Sequence, residues 1–157
     1  MNPGDTRCKR ILFCTDFSES ADAAFDFAVD AAARRPGSVL YLLHVIHEVD
    51  AQFWKSYLYE VDNVEDQGRK AIDDKIAKTY LPRVPAGVEV KVEVRTGADA
   101  TEIIDFAAKQ AIDLVVMGRQ GRSGVRKTLF GNVTEKVVRK AECAVLVVPL
   151  SYAQRGD

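Results

Sequence analysis

Cysteine is scarce in this chain, and so is any long apolar run. Cys8, Cys14 and Cys143 form neither a CxxC pair nor a zinc-ligand spacing, and an odd number does not make a disulfide framework. They are expected as reduced thiols packed like small hydrophobes. The longest apolar stretches, such as "AVLVVPL" near the end, fall far below the roughly 18 residues of a membrane span, so no membrane partner is expected. The start, "MNPGDTRCKR", has no apolar stretch like that of a signal peptide, which points to a cytoplasmic location. An excess of one charge is missing too. With 22 Lys and Arg against 23 Asp and Glu the net charge is -1, so no global basic field draws the surface toward nucleic acid, and none is expected as a partner. No linker, low-complexity segment or internal repeat interrupts the chain. What is left is an ordinary globular composition, 47% hydrophobic and 29% charged over 157 residues, enough for one well-filled core and a single domain over residues 1–157.

Short apolar runs alternate with stretches of helical period, the pattern of repeated βα units and a parallel sheet. Five strands are predicted: Arg10–Thr15, Val39–Val45, Val88–Val94, Leu114–Gly118 and Ala144–Val148. The third alternates as a half-exposed strand would, and the others read as continuously buried. Between the first two, Ala24, Phe25, Ala28, Val29 and Ala32 form one apolar stripe, with Ser18 as cap and "RRPG" as stop. A second helix carries Val61, Val64, Gly68, Ile72 and Ile76 on one face and stops at Leu81, before Pro82. The third, with Ile103, Ile104, Ala107, Ala108 and Ala111, opens where Asp99 and Glu102 have capping-box spacing. The fourth opens where Asn132 and Glu135 have that spacing and buries Val133, Val137 and Ala141. Right-handed crossovers then give an α/β fold, an open five-stranded parallel sheet of order 3-2-1-4-5 with helices on both faces, Rossmann-like in plan. In such sheets a ligand sits outside the carboxyl ends of the strands where the strand order reverses, here between strands one and four.

The fourth strand runs into "GRQGRSGVRKTLFGN", residues 118–132, with four glycines, four cations and no acid. Gly118 and Gly121 let backbone amides approach a bulky group closely and adopt positive φ where required. Gly131, Asn132 and Val133 lead into a helix whose first amides carry about half a positive charge. Arg119, Arg122, Arg126 and Lys127 add full cations. The set suits a polyphosphate, against the alternative of a surface connection made flexible by glycine. Neither the GxxxxGK[ST] order of a P-loop nor a GxGxxG fingerprint is present.

These residues resemble the universal stress proteins, and the resemblance covers nearly the whole chain. The nucleotide-binding members of that family space their glycines as Gly118, Gly121 and Gly131 are spaced, with serine or threonine next. "ILFCTDFSESA", "LLHVI" and "GNVTEKVVRKAECAVLVVP" extend the likeness in order. The resemblance implies ATP across the crevice in an adenine nucleotide alpha hydrolase-like fold. Val45 would meet the adenine through its backbone, Thr15 and Asp16 would line the pocket near base and ribose, and Met117 and Gly118 would face sugar and phosphates. The amides of Gly121, Gly131, Asn132 and Val133 and the Thr134 hydroxyl would hold the phosphates, beside the cation of Arg119. Mg²⁺ would bridge phosphate oxygens, since it keeps several waters and needs few protein carboxylates. Asn132 departs from the family pattern; losing one hydroxyl contact costs about 0.5–1.5 kcal/mol, about tenfold in affinity at most.

The other candidates divide between structure and chemistry. Asp16 reads either as a helix-entry turn residue or as a ribose or Mg²⁺ contact. His44 reads as a satisfied histidine of the sheet, and His47 as a solvated one. The cluster Phe53, Trp54, Tyr57 and Tyr59 either packs or caps the adenine end. Ala144–Val148 reads as an apolar edge strand that a second copy would cover, as family members commonly do, or that the tail would shield. Two functions follow: an ATP-binding stress-response regulator, or a nucleotide-independent dimeric scaffold. No residue beside the loop is an evident base for positioning water, so no catalytic residue is assigned, and turnover would be slow ATP hydrolysis at most.

Overall fold

The computed structural model describes residues 8–47, 64–119, 131–153 and 155. The elements run β1 (Arg10–Thr15), α1 (Glu19–Ala33), β2 (Val39–His47), α2 (Val64–Thr79), a 3₁₀ turn (Leu81–Arg83), β3 (Glu89–Gly97), α3 (Asp99–Lys109), β4 (Leu114–Gly118), α4 (Asn132–Lys140), β5 (Ala144–Val148) and α5 (Leu150–Ala153). All five strands pair in parallel, in the order β3-β2-β1-β4-β5. This is the expected doubly wound α/β sheet. β1 is its centre, and the chain leaves it first toward β2 and later returns to its other side as β4, which places the reversal between β1 and β4.

Strand alternation divides the core in two. Ile11 and Phe13 turn toward Ala24, Phe25 and Ala28 of α1 and Ile76 of α2. Leu12 and Cys14 turn the other way, toward Ile103 and Phe106 of α3 and Val137 of α4. The stripe of α1 is buried as expected, with Val29 partly covered. Its start is closed by Ser18, whose hydroxyl accepts from the Ala21 amide at 3.2 Å. Gly68, Ile72 and Ile76 face inward on α2. Val61 and the aromatic cluster Phe53, Trp54, Tyr57 and Tyr59 lie outside the described residues.

Several local expectations are corrected. The N-cap of α3 is Ala98 and that of α4 is Gly131, with no side-chain cap at either. Asp99 and Asn132 are thus the first residues inside their helices, where they cannot form the capping box their spacing suggested. Ala111 lies beyond the end of α3, exposed and in the left-handed region at φ 49°, and Phe106 fills the core instead. β5 is not continuously buried. Its residues alternate, with Ala144 and Leu146 exposed and Val148 buried, because β5 is an edge strand and the α1 side of the core reaches only its Val148 end. The tail turns into α5 and packs on α1, Tyr152 lying edge-on to Phe27 with ring centroids 4.9 Å apart.

Candidate functional site

Outside the carboxyl ends of β1, β2 and β4 the described residues leave a cleft. Its walls are Cys14, Thr15, Asp16, Ser18, Ala21, Leu43, Val45, Asp99, Ile103, Met117, Gly118 and Gly131 to Thr134. Nine of the expected site residues are among them: Thr15, Asp16, Val45, Met117, Gly118, Gly131, Asn132, Val133 and Thr134. Arg119 is adjacent to the cleft and not on its wall, and Gly121 lies outside the described residues. Cys14, Ser18, Ala21, Leu43, Asp99 and Ile103 complete the wall without having been singled out for it.

The two ends of the cleft differ chemically. At one end Leu43, Val45 and Ile103 are apolar side chains from β2 and α3. At the other, α4 begins at Gly131 with no side chain capping it, so its first amides face the space with their share of the helix dipole. The other two helices that start here are closed to anions. Ser18 caps α1 with its own hydroxyl. α3, uncapped too, carries Asp99 at its first residue and on the cleft wall, where α4 has the neutral Asn132, while Glu102 and Glu135 stand alike in the two first turns. An anionic group is therefore favoured at α4 and disfavoured at α3, and a flat apolar group fits the wall between.

Neither Gly118 nor Gly131 needs a positive φ. Gly131 has φ -63° and ψ 157°, an extended conformation open to any residue, and Gly118 is not among the positive-φ glycines. A Cβ on Gly118 would lie 2.7 Å from the carbonyl carbon of Ser20 and 2.8 Å from its oxygen. The missing side chain lets the end of β4 lie directly against the first turn of α1. Around this contact the ends of the sheet are tied together. The Arg119 amide donates to the Val148 carbonyl at 2.8 Å and the Gly131 amide to the Arg119 carbonyl at 2.9 Å, while the Ser20 hydroxyl also donates to Val148. Thr134 is buried, and its hydroxyl donates to the Gly118 carbonyl at 2.9 Å. The proton that the family resemblance assigns to a phosphate is thus engaged in holding α4 to β4. Asn132, exposed at the first helical position, leaves its side chain outside the helix.

The opposite wall is the turn after β1. Asp16 accepts the Ser18 amide at 3.0 Å, so it does serve as a helix-entry turn residue while lining the cleft. Phe17 takes φ 62°, an uncommon conformation for an aromatic residue and costly unless its surroundings impose it. His44 is the satisfied histidine expected: its Nδ1 lies 2.8 Å from the Thr15 carbonyl, which can only accept, so Nδ1 carries the proton. The three cysteines are free. Burial pushes the Cys14 thiol far above its ordinary range, so at neutral pH it is an inert apolar part of the wall. No group of three or more His, Cys, Asp or Glu stands ready for a metal among the described residues. Asp16 and Asp99 are the carboxylates of the wall.

A model of the universal stress protein family matches residues 7–149. Over 149 residues the chain is 31% identical to Universal stress protein MJ0531 of Methanocaldococcus jannaschii, with 92% of this chain and 84% of that one covered. The solved structure of the hypothetical protein MJ0577 matches with a TM-score of 0.74 at 31% identity, covering 92% of this chain and 97% of that one. The universal stress protein from Archaeoglobus fulgidus in complex with dAMP shares the fold, with a TM-score of 0.60 at 19% identity over 88% of this chain and 95% of that one.

The packing at Gly118 yields a direct expectation. Gly118→Ala forces the first turn of α1 away from β4 and lowers stability by about 1–3 kcal/mol, the usual cost of overpacking. Urea unfolding of the two proteins measures it; an unchanged midpoint would show that the close approach is not what requires glycine.

Proposed function

Because the chain belongs to the universal stress protein family, we propose that it binds an adenine nucleotide, ATP, in the cleft between β1 and β4 and acts as a nucleotide-responsive regulator. The observation that carries this reading is the pairing of an uncapped helix start at α4 with an apolar wall at Leu43, Val45 and Ile103. The adenine lies on that wall near the backbone of Val45. The ribose faces Thr15, Asp16 and Met117, and the phosphates rest on the amides of Asn132 and Val133, since the Gly131 amide, expected among them, is engaged by the Arg119 carbonyl. The Archaeoglobus relative with dAMP supports an adenine nucleotide as the ligand class. The donor set fits Mg²⁺ only with the triphosphate present. The ion would draw on phosphate oxygens and water, with Asp16 the one wall residue that could assist.

The covering of β5 belongs to the same proposal. Leu146 is exposed on the strand and Val138 on the adjoining helix, and no lysine or proline interrupts Ala144–Val148 to deter pairing. A second copy of this chain covers that edge, giving a homodimer in the cytoplasm. Leu146→Lys places a charge in the contact, and sedimentation velocity should then show monomer where the wild type sediments as dimer. A wild type that sediments as monomer at micromolar concentration ends this part of the reading.

Nucleotide binding is tested by thermal shift with ATP, ADP and AMP, with and without Mg²⁺. At about 100 times Kd the ligand adds roughly 2.7 kcal/mol, or about 5–10 °C for a domain of this size. No shift at millimolar ATP removes the proposal and favours a nucleotide-independent scaffold.

Asn132→Pro isolates the helix end. The position is the first of α4, where proline is well tolerated, and Gly131 before it already has the extended backbone that proline requires. The variant keeps its fold and loses one amide donor to a charged group, worth about 1.5–3 kcal/mol or roughly 10–100-fold in Kd for ATP. Adenosine, which lacks the phosphates, should bind both proteins alike by calorimetry; an equal loss for adenosine would place the phosphates elsewhere.

A further inference from the structure

Behind the turn that follows β1 stands a residue that is not itself on the cleft wall. Tyr80, between α2 and the 3₁₀ turn, is 1% exposed and packs against Phe13 and Phe25, with ring centroids 5.2 and 4.8 Å away. Its hydroxyl lies 2.5 Å from the Thr15 hydroxyl. Thr15 Oγ1 also accepts the Phe17 amide at 2.9 Å. The Phe17 ring stacks on Tyr80 at 6.1 Å and meets His44 at 4.7 Å, and the Lys75 ammonium lies 4.3 Å from its centroid. One threonine oxygen thus joins the cleft wall to the core beneath α2.

The direction of the Tyr80 bond follows from counting protons. If Thr15 donated to Tyr80, the phenol proton would be buried without an acceptor, a costly state, since Thr15 is the described partner of that hydroxyl. Tyr80 therefore donates. Thr15 Oγ1 then accepts two bonds, from Tyr80 and from the Phe17 amide, which occupies both its lone pairs. Its own proton is left over, and Thr15 is one of the residues that line the cleft.

We propose that Tyr80 is a positioning residue for the ligand of this cleft: its hydroxyl fixes Thr15 as a hydrogen-bond donor to the ligand and holds the left-handed Phe17 turn that presents Asp16 and Ser18. The ligand atom that Thr15 meets is an acceptor, a ring nitrogen or a ribose oxygen. The identity of that ligand rests on the nucleotide reading above, whereas the hold on the turn does not.

Tyr80→Phe and Thr15→Val, singly and together, test both parts. Tyr80→Phe retains the ring packing, so the fold survives. In the protein without ligand, amide hydrogen exchange followed by NMR should show the Phe17 amide exchanging about tenfold faster in either variant, with the amides of α3 unchanged. ATP affinity should fall about three- to tenfold in Tyr80→Phe, and adding that change to Thr15→Val should weaken binding no further. Unchanged Phe17 exchange in Tyr80→Phe overturns the hold on the turn, whatever the binding data show. Additive losses in the double variant overturn the action through Thr15. If the wild type binds no nucleotide, the nucleotide reading and the donor role of Thr15 fall, and the exchange data still decide whether Tyr80 sets the turn.

Discussion

The missing Cβ of Gly118 is the constraint around which this end of the molecule is arranged. Because β4 can lie against Ser20 where any Cβ would collide with its backbone, the starts of α1 and α4 and the ends of β1 and β4 meet in one place. Their backbone and hydroxyl groups then satisfy one another. Val148 accepts from Arg119 and Ser20, Arg119 accepts from Gly131, and Gly118 accepts from Thr134. A cleft at the reversal of strand order is general to this architecture. Its shape here depends on a contact made by the protein with itself.

The architecture was legible from apolar runs. β1, β4 and β5 have the bounds expected from their sequence runs, and the strand order followed from right-handed crossovers. β2 and β3 extend further than their own patterns indicated because they pair with each other as far as His47 and Gly97; a ladder that continues through polar residues leaves no trace in either strand alone. The helix starts were misread for a related reason. An acid three residues after a polar one fits a capping box, and it fits equally well one step inside the helix, where an acid also favours the dipole. Ala98 and Gly131 took the cap positions, which their side chains do not advertise.

The site was legible where it is local and obscure where it is assembled. The glycine spacing and the ends of β1 and β2 marked most of the wall. Asp99 and Ser18 read as helix-start residues, which they are, and only the sheet brings both starts to the cleft. The roles of Thr134 and Asn132 turned on whether a hydroxyl or an amide was already engaged, and Thr134 is committed to a carbonyl sixteen residues away. Tyr80 carried no signal at all: in the sequence it is a tyrosine at the close of a helix, and its meaning lies in Thr15, 65 residues earlier.

Three helices open onto the cleft, and only α4 does so with neither a side-chain cap nor an acid at its first residue. The slot is keyed in consequence. A molecule with a flat greasy head and a charged tail can be seated one way round, because the reverse pose would press that tail against the acid of Asp99 and strand the head among naked peptide groups. Polarity of entry is thus built into the frame before any side chain chooses between one base and another.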